Sequence, residues 1–262
     1  MTLDRRSFTQ LLFGGAVLAG MGAMPRMALA VDAGGILAQA DAIRNPQSSF
    51  MVNVDLKNYE GSALTGQTQV TTLSRRAGGQ FQTLVHINAP SADRGKLLLR
   101  NGNSLWMFDP ASQASVRISA RQRLLGNASN GDVVSSNLMG DYSPTLAGEE
   151  AVADGDKKTR DCYKLDLKSR DKSTPYSSIE FWVDKASGRP VKGKYYAGSG
   201  KLLKVSWYRK FANQMGASRP TEVVIADGFD PNKITVMTMK GFQGRDLPES
   251  MFRKEALAGF RL

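Results

Sequence analysis

The feature that most restricts what this chain can become is a change of hydrophobic period near Pro46. Before it, Ile36, Leu37, Ala40 and Ile43 share one face of a helix that Asp32 can cap and Asn45-Pro46 stops. After it the period is two. Phe50, Val52, Val54 and Leu56 alternate with Met51, Asn53, Asp55 and Lys57, the pattern of a half-buried strand. Further strands are readable at 68–74, 80–87, 96–100, 105–109, 115–119, 145–151, 162–167, 178–183, 191–197, 202–211, 221–226 and 234–239. Turn signals separate them at Asn101-Gly102, Asp154-Gly155, Ser187-Gly188, Gly198-Ser199-Gly200 and Asp230-Pro231. Amphipathic helices do not intervene, so parallel βαβ units are excluded and an antiparallel meander, sandwich or barrel is expected. A short C-terminal helix is expected over 248–256.

Residues 121–142 break the pattern. They carry neither a clean period of two nor a long helical face, and their apolar residues include Leu124, Leu125, Val133, Leu138 and Met139. So long an irregular stretch inside a compact domain is either a lid or binding loop, or a structural crossover holding a short helix. No repeat, linker or low-complexity run divides the rest, so 31–262 reads as one domain.

The N-terminus speaks to the compartment. Arg5 and Arg6 precede an apolar stretch, 11–24, and Ala28-Leu29-Ala30 gives a small-x-small end. These are the parts of a cleaved export signal, with cleavage expected after Ala30. The apolar stretch is well short of the roughly 20 residues that span a bilayer. Arg5-Arg6-Ser7-Phe8 resembles a twin-arginine signal, with Phe8 two places after the pair; an ordinary secretion signal is the alternative. Either route predicts a periplasmic protein. That location argues against nucleic acid as the partner of the +11 formal charge, whose basic residues are scattered along the chain as on a solvated surface.

Catalysis finds little material. The one cysteine, Cys162, lies mid-strand and reads as a small buried hydrophobe; internal disulfides and zinc ribbons are excluded. The one histidine, His86, lies on the opposite strand face from Phe81, Val85 and Ile87, without a nucleophile elbow to serve. Asp154, Asp156 and Asp161 lack the spacing of a calcium loop, and Glu149-Glu150 point to opposite faces of a strand. A non-enzyme without cofactor or metal is expected.

Large apolar groups do recur on strand faces: Trp106 with Phe108, Phe181 with Val183, Tyr195 with Val191, and Trp207 with Leu203 and Val205. A closed barrel fills itself with such residues, whereas an incompletely closed one leaves an apolar cavity. Each buried methylene contributes about 0.8 kcal/mol, so such a cavity can compete with a membrane for lipid. Strand patterns alone do not choose between filled and hollow.

Specific blocks add a resemblance. Asp93-Arg94-Gly95-Lys96, Leu105-Trp106-Met107-Phe108-Asp109-Pro110 and Val116-Arg117-Ile118-Ser119 are similar to the central signature of the outer-membrane lipoprotein-sorting (LolA-like, LolA-RseB) family. Gln122-Arg123-Leu124-Leu125-Gly126 and Gly140-Asp141-Tyr142 resemble its crossover. Trp182-Val183-Asp184, Pro190-Val191-Lys192, Tyr195-Tyr196, the run 199–204, Pro220-Thr221 and the closing Phe252, Leu257 and Phe260 resemble its second half.

The resemblance implies a half-open antiparallel β-barrel with an N-terminal helix, a lid or crossover and a short C-terminal helix. It also implies non-covalent carriage of lipid or lipoprotein acyl chains, by a monomer in transient contact with membranes. An RND/MMPL-type inner-membrane exporter is the implied partner of this subgroup. Val52, Val54, Leu56, Trp106, Phe108, Phe181, Tyr195 and Trp207 would line the cavity. The 121–142 segment would gate it, and surface Lys and Arg would meet anionic head groups or an acidic partner. An RseB-like sensory binding module is the alternative.

Overall fold

The computed structural model describes residues 32–134 and 137–262, with Arg123 and Leu125 described through their backbone alone. The signal-segment residues Arg5, Arg6, Phe8, Ala28 and Ala30, and the side chain of Leu125, therefore lie outside the described residues.

Helix α1 (Ala33–Arg44) begins where Asp32 accepts a hydrogen bond from the Gly34 amide at 2.9 Å. It ends at an extended Asn45, whose successor is Pro46. Arg219 also closes its C-terminus, donating to the carbonyls of Ala42 and Ile43 at 2.6 and 3.1 Å. Those carbonyls have no partner within the helix, and a cation suits the negative end of the helix dipole.

Two meanders follow. The first is β1 (Phe50–Glu60), β2 (Ala63–Ala77), β3 (Gln80–Ala89), β4 (Leu97–Asn101), β5 (Ser104–Asp109) and β6 (Ala114–Ile118). A small hairpin, β7 (Arg123–Leu125) and β8 (Ala128–Ser129), leads into two single-turn helices, α2 (Asn130–Val133) and α3 (Leu138–Asp141). The second meander is β9 (Tyr142–Ala153), β10 (Thr159–Ser169), β11 (Ser178–Asp184), β12 (Pro190–Tyr196), β13 (Leu202–Gln214), β14 (Ala217–Asp227) and β15 (Lys233–Gly244). Each strand expected from the alternation overlaps one of these.

Antiparallel pairing of β1 with β15, from Phe50↔Gly244 to Glu60↔Lys233, welds the meanders into one sheet of thirteen strands in the order β6-β5-β4-β3-β2-β1-β15-β14-β13-β12-β11-β10-β9. The edge strands β6 and β9 do not pair, so the sheet is an open one, not closed into a barrel. The chain must cross from one free edge to the other, and the described residues 119–134 and 137–141 lie along the inner face. Val133, Val134 and Leu138 of this crossover are buried among Phe50, Val52, Val54 and Leu56 of β1. Gly126 turns the β7–β8 hairpin at φ 52°, and any Cβ there would collide with Thr235 and Asn58. The Asn127 amide then donates to Thr235 Oγ1 at 2.9 Å, pinning the hairpin tip to the middle of the sheet.

Strands β2 to β5 are buried on both faces. Leu73, Leu84, Leu97, Leu99 and Phe108 form a second cluster on the outer face, capped by Leu247, Phe252 and Leu257. The expected C-terminal helix is present as two consecutive 3₁₀ turns, Glu249–Phe252 and Lys254–Gly259. The extended Arg253 between them lets Phe252 and Leu257 both face the sheet, and Asn101 fixes the first turn by donating to the Phe252 carbonyl at 3.0 Å. His86 lies beside this cap, its Nδ1 2.7 Å from Asn88 Oδ1 and its ring 6.3 Å from that of Phe260. Truncating Phe252, which is fully buried, to Ala is expected to cost about 3–5 kcal/mol in chemical denaturation. Binding at the inner face should be unaffected once folding is allowed for.

Candidate functional site

The concave face encloses a cavity of about 270 Å³ that reaches the seam between the two free edges. Its apolar wall comes from Ile179 of β11, Val223 and Ile225 of β14, Met237 of β15, Leu105 of β5 and Ile118 of β6, with Val134 and Leu138 of the crossover. A smaller space of about 70 Å³ adjoins it, lined by Phe50, Val52, Val54, Val133, Met239 and Phe242. The two share Arg44, Asp132, Val134, Tyr208, Val223 and Met237.

The floor of the larger cavity is polar. In β13 the inward residues are Lys204, Ser206 and Tyr208, all buried, while Leu203, Val205 and Trp207 face outward. Lys204 is 3% exposed and forms an ion pair with Asp132, which α2 carries in from the crossover. Its ammonium also sits 4.7 Å from the ring centroid of Tyr176 and 4.9 Å from that of Tyr195. Asp132 accepts from Tyr176 OH at 2.9 Å, from Ser129 N at 2.7 Å and from Ser129 Oγ at 3.0 Å, a capping box that starts α2. The Tyr195 hydroxyl is 3.0 Å from Ser206 Oγ and 3.1 Å from the Tyr208 hydroxyl. Burial pulls the Lys204 ammonium below its ordinary value, opposed by the Asp132 carboxylate. Burial likewise drives the Tyr176 and Tyr195 phenols well above theirs, with Asp132 adding to the effect at Tyr176 and Tyr208 at Tyr195.

A second buried pair ties the crossover to α1. Arg44 Nη1 donates to Asp41 Oδ1 at 2.8 Å, and Asp41 Oδ2 accepts from the Met139 amide at 2.9 Å. Burial raises the Asp41 carboxyl above its usual range despite the pull of Arg44. Toward the seam, Arg100 holds Asp141 through two contacts of 2.9 and 3.0 Å, and Arg117 and Lys172 stand exposed at the margin.

The expected lining residues divide between the two sides of the sheet. Val52 and Val54 line the smaller space, Leu56 is fully buried in the same inner cluster, and Tyr195 belongs to the polar floor. Phe181 is inward too, with its ring edge-on to Tyr208 at 6.0 Å. Trp106, Phe108 and Trp207 are corrections: they lie on the outer face. Pairing sets Phe108 opposite Leu97 and Trp106 opposite Leu99, and directly paired residues share a face, here the one capped by the C-terminal turns. Lys254 covers Trp106, its ammonium 4.5 Å from the ring. Trp207 fails for a different reason. The more polar half of its strand is the inner half, so hydrophobic alternation points the wrong way.

In the crossover, Val133 and Leu138 are buried, and Leu124 and Met139 pack half-buried against the inner cluster. Nothing in the sequence singles out Lys204, Asp132, Tyr176, Ser206, Tyr208 or Arg44, because no motif marks a buried lysine whose partner lies far off along the chain.

Cys162 is fully buried in a separate outer cluster with Trp182 and Val191, and burial, reinforced by Asp184, pushes its thiol up to about 12. Asp154 is occupied at a hairpin tip, accepting from the amides of Asp156 and Lys158 and from Arg160. Among the described residues, no group of three or more His, Cys, Asp and Glu could hold a metal ion. What the arrangement can do is bind: a long apolar side chain or acyl chain against the wall, and a polar group on the floor.

A family model described only as an uncharacterized protein matches residues 79–259. Among solved structures, the chain is similar to the LolA superfamily protein NE2245 from Nitrosomonas europaea, with 36% identity and a TM-score of 0.77 over 86% of this chain and 99% of that one. It shares its fold with a protein described as an outer membrane lipoprotein-sorting protein domain, from Vibrio parahaemolyticus (18% identity, TM-score 0.72, covering 86% and 98%). The same holds for a DUF1329 family protein from Desulfovibrio piger (21%, 0.71, covering 86% and 97%). No curated protein matches the sequence.

The buried phenols give a test of the floor. Tyr176 and Tyr195 ionise near 10.0 when unfolded and only higher when folded, so ionisation favours the unfolded chain. Their stabilising contribution is complete below about pH 10 and lost as pH rises beyond it. The urea midpoint should fall between about pH 9 and about pH 11, and less steeply in Tyr195→Phe. At neutral pH that variant should lose about 1 kcal/mol through its hydroxyl contacts.

Proposed function

The chain belongs to the LolA superfamily, and on that footing we propose that it is a periplasmic, non-catalytic carrier of lipid or lipoprotein acyl chains. The observation that carries this reading is the cavity of about 270 Å³ on the inner face of an unclosed sheet, with an apolar wall and a seam through which a chain can enter. A closed, fully packed barrel of this size would offer no such space. The solved relative from Vibrio parahaemolyticus is described as a lipoprotein-sorting domain, which agrees with cargo of this chemistry.

The remaining parts of the proposal come from the sequence. Residues 1–30 are an export signal, of twin-arginine type, cleaved after Ala30 to leave one carrier domain at 31–262. Cargo passes between the inner membrane, where an RND/MMPL-type exporter is the proposed partner, and the outer membrane. The crossover moves to admit it, with Leu124, Val133, Leu138 and Met139 leaving the interior. The carrier acts as a monomer in transient membrane contact and has no role with nucleic acid.

Native mass spectrometry with lipid extraction, on protein purified from the periplasm, tests the reading. Phospholipid or acylated peptide bound near one per protein is the expected result. Val223→Phe should reduce the bound fraction severalfold, because the added ring enters the wall shared by both spaces, at a cost of about 1–3 kcal/mol in stability. A clean apo mass that persists after incubation with lipid would overturn carriage and favour an RseB-like module that binds protein.

A further inference from the structure

Three consecutive crossover residues, Asp132, Val133 and Val134, fill the interior in a particular order. Asp132 places a carboxylate on the buried ammonium of Lys204. Val133 and Val134, 4% and 5% exposed, put the next two side chains into the apolar cluster and line the smaller space beside Val52 and Val54. A carboxylate continued by an apolar stem is the chemistry of an anionic amphiphile, here supplied by the chain itself.

The sheet and its β10–β11 loop form a complete receptor for such a group without the crossover. Lys204, Ser206, Tyr195, Tyr208 and Tyr176 converge on the same cavity, and each can donate a hydrogen bond to an anion. The carboxylate that pairs with Lys204 comes from α2, not from any strand of the sheet. The second buried cation on this wall, Arg44, already has its own carboxylate, Asp41, within α1. Of these two, Lys204 is therefore the one whose counter-charge departs whenever the crossover departs, as that of the less buried Arg100 at the seam also does.

The seated turn is also imperfectly satisfied. Asn130, at the start of α2, is 1% exposed, and neither its amide oxygen nor its amide nitrogen has a hydrogen-bond partner. Leaving the interior would return both atoms to water.

We propose that residues 132–134 are an internal stand-in for the cargo, and that the site takes an amphiphile with one anionic head group, a carboxylate or a phosphate. The head group replaces Asp132 at Lys204 and the Tyr176 hydroxyl, with the Tyr195 and Ser206 hydroxyls close by on the same floor, and the apolar chain replaces Val133 and Val134, joining the two adjoining spaces into one. This inference rests on the carrier reading and narrows it to a charge class.

The test is binding of palmitate, palmitoyl lysophosphatidate and hexadecanol to the full-length exported protein at neutral pH. Wild-type protein should bind the two anions more tightly than the alcohol. Asp132→Asn removes the internal competitor's charge at constant shape and loosens the crossover for every ligand, so it should tighten anion binding about tenfold more than it tightens hexadecanol binding. Whichever anion gains more identifies the head group as carboxylate or phosphate. Asp132→Asn/Lys204→Met leaves no lone buried charge to unfold the protein, and it should bind all three ligands alike. Equal affinity for acid and alcohol in wild type and both variants would overturn the head-group assignment while leaving acyl carriage standing. Failure to bind any of the three would overturn both.

Discussion

Everything in this molecule depends on the pairing of β1 with β15. It brings the beginning and the end of the strand-bearing chain together as neighbours in the middle of the sheet, so that the middle of the chain supplies both free edges. A meander of thirteen strands with this connectivity twists and curls, yet it cannot close without β6 and β9 meeting. The chain that links those two edges must then run across the concave side, which is how a single segment comes to plug the interior. The edges themselves resist further pairing in ordinary ways. β6 is only five residues long, and β9 carries Pro144, Gly148, Glu149 and Glu150 along its length.

The plug is held by polar contacts as much as by apolar ones. Asp132 reaches Lys204, Met139 hydrogen-bonds Asp41, and Asp141 is gripped by Arg100 and by Gln80 Nε2 at 2.8 Å. Each anchor joins the crossover to a different element: β13, α1, β4 and β3. Buried ion pairs of this kind add little net stability over apolar replacements, but breaking one partner is costly because the other is left stranded. Such contacts therefore confer position more than strength. A segment held in one place by modest net free energy is suited to leaving when a competing group satisfies the same partners.

The two faces of the sheet divide the work. The outer face of β2–β5 is sealed by Phe252 and Leu257 and contributes cohesion. The inner face keeps unfilled space, and it is there that the tyrosines, Lys204 and Arg44 gather. Trp106 and Phe108 belong to the first role, although they sit within the sequence block that most resembles the family signature. That block therefore serves both faces, since Leu105 and Ile118 within it line the cavity.

How much of this could be read from the chain follows from the range of the interactions involved. Strand positions, turns and α1 are governed by local period and local backbone chemistry, so Phe50-x-Val52-x-Val54-x-Leu56 and Asn45-Pro46 were legible directly. The half-open form came from resemblance, because nothing local states whether β6 meets β9; the irregular stretch 121–142 was legible from its loss of period, but its path across the interior was not. The inward set of β13 could not be read at all. Alternation tells two faces apart by polarity, and there the inner face is the polar one, since Lys204 is charged yet satisfied by Asp132 seventy-two positions away in sequence. For Trp106 and Phe108 alternation correctly put both on one face, but only the C-terminal turns decided that this face was the outside. Sequence by itself determined which residues alternate and where the chain turns, because those are short-range properties. The tertiary structure alone decided which face is interior, and which charge answers which, because both depend on pairing between distant segments.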